Sequence, residues 1–286
     1  MICVTGAGGT VGGEVVEQLK EARAPFRAAF HSKEKADAAR ARGIEAVLID
    51  YARLETLEEA FRGCDGLFLI GPAVPNQTEL ELNAVKAAKA AGVRHIVKLS
   101  VLKANEESYD FANVHRPAEK AIETSGMKWT LLRSNSFMQN VVNYMGETIR
   151  ADGTFYSASG TAKISHVDVR DIAAVAVQAL TQPGHEGKSY NVTGPEALTY
   201  DEMAKELSKA LGRSIRHISL SPSDLESGML AEGMPREVVR WLIDLERFYR
   251  ENKASGVSHD IERVTGREPR RFAEYVHDYA SSLQTA

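Results

Sequence analysis

Apolar and polar positions come in alternating blocks along the first half of the chain. The opening MICVT reads as a strand. A glycine-rich turn follows, then a stretch from about Val11 to Ala22 in which Val15, Val16 and Leu19 recur at the spacing of one helix face. PFRAAF reads as a second strand. The charged segment from Lys33 to Arg42 reads as a helix that Gly43 ends as a C-cap does. EAVLID, GLFLIG, HIVKLS and KWTLLRS are further strands, and GLFLIG lacks polar alternation, as a strand buried on both faces should. Between them lie the helical segments LETLEEAFRG, about Thr78 to Ala91, and HRPAEKAIETSG. Strands alternating with helices build right-handed βαβ units and a parallel sheet covered on both faces. The pattern therefore predicts an α/β fold of Rossmann type, with a doubly wound parallel sheet.

Beyond about Ser134 the order loosens. FMQNVVNYMGETIRADG reads as apolar and helical, TFYSASG as turn-rich, and KISHVDVRDIAAVAVQALTQP as a short strand and a helix. SYNVTG is one more strand, and helices dominate from Thr199. The expected organisation is a dinucleotide-binding domain over 1–134, to which 163–193 returns. A smaller, mainly helical substrate lobe takes 135–162 and 194–286.

Composition narrows the function classes. The net charge of −4 offers no basic field for nucleic acid. The cluster Arg267, Arg270 and Arg271 is mixed with acids and reads as a solvated helical surface. No apolar run has the roughly 18 residues needed to cross a bilayer, and no signal peptide opens the chain. Two cysteines, Cys3 and Cys64, make no disulfide framework and suit a reducing compartment. The expectation is a cytoplasmic protein, monomer or homodimer, with a small molecule as partner and neither nucleic acid nor membrane. The eight histidines are scattered without a metal-ligand spacing, and no Gly-x-Ser-x-Gly elbow points to a serine hydrolase.

The segment VTGAGGTVGG carries the first chemistry. Gly6, Gly9 and Gly12 stand at three-residue spacing between the first strand and the first helix. Gly6 makes the tight turn, a side chain at Gly9 would block the backbone's approach to a pyrophosphate, and Gly12 lets the helix pack closely. Thr10 and Val11 begin a helix whose N-terminus offers N–H groups and a positive dipole end to phosphates. The Gly-Lys-Ser/Thr ending of a P-loop is missing.

An NAD site usually carries an acidic residue at the end of the second strand, about 20 residues past the glycines. Here Phe30 and His31 take that place, followed by Ser32, Lys33 and Lys35. A hydroxyl and ammonium groups would receive a 2′-phosphate that a carboxylate would repel. NADP(H) is the expected cofactor. The bland alternative is a solvated helix start. Asp50 and Tyr51, after the third strand, either flank an adenine or form a turn with a packed ring. Gly71 and Pro72 follow the fourth strand, at the sheet end where ligands of such folds lie.

The segments TGAGGTVG, HRPAEKAIETSGMKWTLLRSNSFMQN and ISHVDVRDIAAVA together resemble the NmrA-like branch of the atypical short-chain dehydrogenase/reductases. Within that branch the chain is similar to bacterial NADPH-dependent quinone reductases and triphenylmethane-dye reductases. The resemblance covers nearly the whole chain. Standard short-chain reductases carry a Tyr-x-x-x-Lys dyad as proton relay. Laid over FANVHRPAE, that pattern puts Phe111 at the tyrosine position, His115 at the lysine position and Glu119 at a common acidic position. The dyad is therefore lost. His115 could still bond the nicotinamide ribose or act as an acid near neutral pH. Ser100 ends the fifth strand and either matches a serine that often faces substrate or satisfies the strand end with its hydroxyl. Asn135, Ser136 and Phe137 resemble the loop that covers the nicotinamide, and Tyr109, Met138, Asn140 and Tyr144 are candidates for the acceptor pocket. Asp168 and Asp171 read as structural, at a helix start.

The resemblance implies an NADPH-dependent oxidoreductase that passes hydride to a quinone or similar conjugated acceptor. Such acceptors need alignment more than a strong proton relay. The alternative is a non-catalytic NADP(H)-binding sensor and regulator of the NmrA type. A lyase or isomerase on the same fold is a third class.

Overall fold

The computed structural model describes residues 1–284. Its first half alternates as the pattern predicts: β1 (Ile2–Val4), α1 (Thr10–Glu21), β2 (Phe26–Phe30), α2 (Lys33–Ala41), β3 (Ala46–Leu48), α3 (Leu54–Phe61), β4 (Gly66–Leu69), α4 (Gln77–Ala90), β5 (His95–Val101), α5 (Asp110–Glu123) and β6 (Lys128–Ser134). A π-helical turn at Val141–Met145 runs into α6 (Gly146–Asp152), followed by β7 (Thr154–Ser157), α7 (Val169–Thr181) and β8 (Lys188–Val192). The remainder is α8 (Tyr200–Leu211), β9 (Arg216–Ser219), α9 (Pro222–Ala231), α10 (Arg236–Arg250), α11 (Asp260–Thr265) and α12 (Phe272–Leu283).

The chain divides into two compact units. The first holds Met1–Ser108, Ala112–Ser134 and Val169–Asn191, and the second holds Tyr109–Phe111, Asn135–Asp168 and Val192–Ala286. The seven-stranded sheet has the order β3-β2-β1-β4-β5-β6-β8. The pairings among β1–β6 are parallel: Ile2 lies opposite Phe26 on one side and Gly66 on the other. The chain moves outward from β1 to β3, then crosses back to β4. That reversal is the topological switch point, where open α/β sheets bind ligands. One face of the sheet is covered by α3 and α4, through a core that includes Leu57, Phe61, Leu67, Leu69, Leu80 and Ile96. Each such side chain contributes about 1.5–3 kcal/mol by leaving water. On α1 and α7, which pack together, Val15, Leu19, Ile172 and Val175 are fully buried.

Three local readings change. First, α5 begins at Asp110, five residues before His115, and carries Pro117 inside it. Its start is held from a distance: Asp244 accepts from the Asp110 backbone N–H at 2.7 Å, as a capping side chain would. Pro117 deprives the carbonyl of Asn113 of its helical donor, but Asn113 is exposed to water. Second, the turn-rich TFYSASG contains β7, which pairs in parallel with β9, Thr154 opposite Arg216. A partner so far along the chain leaves no local mark. Third, the short strand expected in KISHV reduces to single bridges, Ile164 with Leu198 and Phe137 with Val167. Among the described residues no helix is long and apolar enough to cross a membrane.

Candidate active site

The glycine loop leaves β1 at Thr5, whose hydroxyl donates to the carbonyls of Phe68 and Ile70 and accepts from the Ile70 N–H. This buried threonine locks the end of β4 to the start of the loop. Gly6 has φ +63°, the left-handed conformation that favours glycine. Its carbonyl accepts from the Gly9 N–H at 2.9 Å. A Cβ at Gly12 would stand 2.1 Å from that same carbonyl oxygen. The cradle therefore closes backbone on backbone, which only glycine permits at position 12.

Gly9 caps α1 without a side-chain bond, and no acidic residue sits in the first turn. Gly8, Gly9 and Thr10 are exposed, and Val11 and Gly12 are buried beneath them. A helix start without a carboxylate, behind a loop closed backbone on backbone at Gly12, fits a pyrophosphate.

The basic turn is assembled around this loop. Lys35 reaches across from α2 and donates to the Gly8 carbonyl at 3.1 Å. Ser32 caps α2, accepting from the Lys35 N–H at 3.3 Å, so it shapes the turn as well as offering a hydroxyl. His31 is exposed. Lys33 faces away, paired with Asp37 at 2.6 Å.

Asp50 accepts from the Ala52 N–H at 2.9 Å, which makes it a turn aspartate. Tyr51 is buried with its hydroxyl donating to the Ile70 carbonyl, and burial pushes that phenol well up. For Asp50 and Tyr51 the geometry favours the turn and the packed ring. Gly71 lies over the Glu81 carboxyl, 2.5 Å from where a Cβ would be, and Pro72 follows, half-buried.

Beneath Gly71 sits a buried polar cluster. Lys98 on β5 and Glu81 on α4 are both 0% exposed, with Nζ 2.9 Å from Oε1. Lys98 also donates to the Leu99 carbonyl at 2.9 Å and approaches His115 Nδ1 at 3.0 Å. Gln77, the first residue of α4, lies 3.2 Å from both Glu81 Oε1 and His115 Nε2. Burial first, and the Lys98 charge second, hold the His115 imidazole well below its ordinary range. Of the two roles offered for His115, that direction favours a neutral ring over an acid titrating near pH 7.

Ser100 is 1% exposed and donates to Glu119 Oε1 at 2.7 Å. Arg133 and Arg116 complete this second buried site, each 2.8 Å from Glu119 Oε2. Their hydrogen bonds and charges outweigh burial and lower the Glu119 carboxyl. Ser100 thus works inside the sheet, and of its two readings the geometry favours the bonded hydroxyl at the strand end.

The second unit places the remaining candidates. The Asn135 amide donates to Ser165 Oγ and to the Ala254 carbonyl, both at 2.8 Å. Phe137 bridges to Val167, and Met138 is buried with its N–H on the Val167 carbonyl at 2.9 Å. Asn140 leans on Ser136 Oγ at 3.4 Å. Tyr109 stacks on Phe248 with centroids 4.2 Å apart, and Phe111 meets the edge of Trp241 at 5.7 Å. Tyr144 is 80% exposed. Asp168 is fully buried and accepts from Gln139 at 2.9 Å, a structural place.

A serine–histidine–aspartate line also occurs here: Ser157 Oγ is 2.8 Å from His217 Nε2, and His217 Nδ1 is 2.9 Å from Asp201 Oδ1. Its burial is inverted for a hydrolase, with the serine 2% and the aspartate side chain 63% exposed. The line joins β7, β9 and α8 and presents no nucleophile.

Sequence reasoning missed Thr5, Gln77, Glu81, Lys98, Arg116 and Arg133. The one local hint was a lysine inside the apolar strand HIVKLS, where an unpaired charge would be prohibitive.

Comparison with known proteins bears on the whole chain. It is 38% identical to an NAD(P)H azoreductase of Xenophilus azovorans, over the full length of both. Its fold matches an NADPH-dependent quinone oxidoreductase of Escherichia coli, solved with NADPH, at a TM-score of 0.88 and 30% identity, covering 98% of this chain and 100% of the other. It also matches a triphenylmethane reductase of a Citrobacter species, solved with NADP(H), at 0.85 and 30%, covering 97% and 99%. The model of the NmrA-like family matches residues 1–280, and the chain belongs to that family.

Proposed function

We propose that the protein is an NADPH-dependent oxidoreductase that delivers hydride to a quinone or a similarly conjugated acceptor. The observation that carries the reading is the cradle at Gly6–Gly12, closed backbone on backbone, with Lys35 laid across it. Gly6, Gly9 and Gly12 with the start of α1 would hold the pyrophosphate, and Lys35 with His31 and Ser32 would receive a 2′-phosphate. When bound, NADPH supplies the hydride. The chain's own task is to hold the reactants aligned and to exclude water. Phe111 has no proton to give and His115 is neutral, which suits acceptors whose reduction is driven by aromatisation or charge neutralisation. The azo, quinone and dye reductases among its relatives support that class.

Lys35→Ala is expected to weaken NADPH binding on the order of ten-fold, the loss of one charge-assisted contact, and to leave NADH binding unchanged. Fluorescence titration with both nucleotides checks this, and equal losses would remove Lys35 from the 2′-phosphate. For the acceptor, mixing protein with NADPH and a panel of quinones and dyes should bleach the reduced-nicotinamide band. Tight NADPH binding with no consumption above the protein-free control would replace the enzyme with the sensor reading.

A further inference from the structure

The pleat of β5 sends Ile96, Lys98 and Ser100 to one face. Two of these three are polar and buried, and each meets a buried carboxylate on a helix. Lys98 is the unusual one, because a buried ammonium persists only where its charge and all its hydrogens are met.

An ammonium carries three hydrogens. Three acceptors stand around Lys98 Nζ: Glu81 Oε1 at 2.9 Å, the Leu99 carbonyl at 2.9 Å and His115 Nδ1 at 3.0 Å. If Lys98 is charged, Nδ1 must accept, and the single proton of a neutral imidazole sits on Nε2. Gln77 Nε2 is the amide atom placed 3.2 Å from both His115 Nε2 and Glu81 Oε1, so Gln77 must turn its amide over to accept from the ring, which gives up its bond to Glu81. The opposite arrangement needs an uncharged Lys98 and a proton on Nδ1.

Charge accounting decides between them. The cluster holds one carboxylate, that of Glu81, so it supports one cation. His115 Nδ1 is itself only 3.7 Å from Glu81 Oε1, so histidine and lysine compete for the same counter-charge. Lys98 is the stronger base and lies closer, at 2.9 Å. Around the His115 ring the charged groups are Lys98 from β5 and Glu81 from α4. Arg116, next to it on α5, is turned to Glu119 and Glu123.

We propose that Lys98, pinned by Glu81, is the positioning residue of His115: it takes the one cation the cluster supports and so fixes the imidazole as a neutral ring protonated at Nε2. His115 is then a ring of constant charge whose one N–H is met by Gln77, suited to holding the cluster in place rather than to proton transfer by an imidazolium. Its effect on turnover rests on the function proposed above. The state of the ring itself does not depend on it.

The experiment is nitrogen-15 NMR of the His115 ring in the full-length protein, without nucleotide or acceptor, from about pH 8 to about pH 5. The wild type should show an Nε2–H ring that does not titrate. Lys98→Met hands the counter-charge to His115, whose pKa should rise by on the order of one to two units beyond the ordinary imidazole value. Adding Glu81→Gln to that variant should return the ring to neutral throughout. In NADPH consumption assays, kcat/KM should be flat across neutral pH in the wild type and gain an inflection in Lys98→Met.

An Nδ1–H ring in the wild type, or a ring that titrates at the ordinary value, overturns the proposal. So does a neutral ring in Lys98→Met. The wild-type spectrum decides even if a variant fails to fold. A correct ring state with no acceptor turnover would count against the proposed function alone.

Discussion

Gly12→Ala is expected to weaken NADPH binding on the order of a hundred-fold and to lower the melting temperature. The added methyl would stand 2.1 Å from the Gly6 oxygen, 2.5 Å from the Gly6 carbonyl carbon and 3.0 Å from the Ala7 nitrogen. All three are backbone atoms, so no side chain can rotate away. Either α1 must lift from the loop or the loop must leave its left-handed turn at Gly6. Overpacking of this kind costs about 1–3 kcal/mol in ordinary cores, and backbone yields less readily than side chains. Either movement withdraws the helix start from the phosphates, so affinity and stability fall together. Gly13→Ala is the control. Its Cβ would find only the Ala7 oxygen, at 3.5 Å, and alanine inside a helix is favoured over glycine by up to about 1 kcal/mol. Nucleotide titration and thermal melts of both variants test this, and wild-type affinity in Gly12→Ala would show that the cradle is not the binding element.

The second large effect concerns acid. His166 is buried in the second unit with neither ring nitrogen hydrogen-bonded, and its ring lies 5.6 Å from that of Tyr200. Burial pushes its pKa from the ordinary 6.5 down to about 4. The folded protein therefore refuses a proton that the unfolded chain accepts. This group's contribution to stability is complete above pH 6.5, is lost as pH falls from 6.5 to about 4 and changes no further below that. The total loss is roughly 3 kcal/mol. His95, His115 and His185 are shifted in the same direction, so the wild type should weaken steeply across this window. His166→Phe keeps the ring contact and removes two unsatisfied nitrogens. It should match or exceed the wild type at pH 7 and exceed it by roughly 2–3 kcal/mol near pH 4.5. Urea denaturation at several pH values measures this. Parallel stability curves for the two proteins would sink it.

Much of the frame could be read directly from the chain, because its causes are local. Val15, Val16 and Leu19 mark a helix face by spacing alone, and the run Gly66–Leu69 marks a buried strand by its lack of polar residues. The glycine loop is legible for the same reason: each glycine answers to a backbone constraint within seven residues. What stayed hidden is made by distant partners. β7 becomes a strand through β9, and α5 gains a turn because Asp244 caps Asp110. The Lys98–Glu81 pair joins a strand to a helix 17 residues away, and neither residue signals the other. The same holds for the roles of single residues. Tyr51 and Ser100 sit where ligand contacts were expected, but their hydroxyls are spent on Ile70 and Glu119.

The π-helical turn at Val141–Met145 has a consequence for how this part of the chain can change length. A π turn is an α-helical turn with one residue too many. Deleting one residue there would let the turn close into the regular register of α6. The residues leading into it would then change register against α6 by about 100° and about 1.5 Å along the axis. Met138 and Asn140 would present different atoms, while the helix beyond kept its packing. A single codon gained or lost at this point would re-aim a side-chain set without redesigning the core, a cheaper route to new surface chemistry than substitution at several positions.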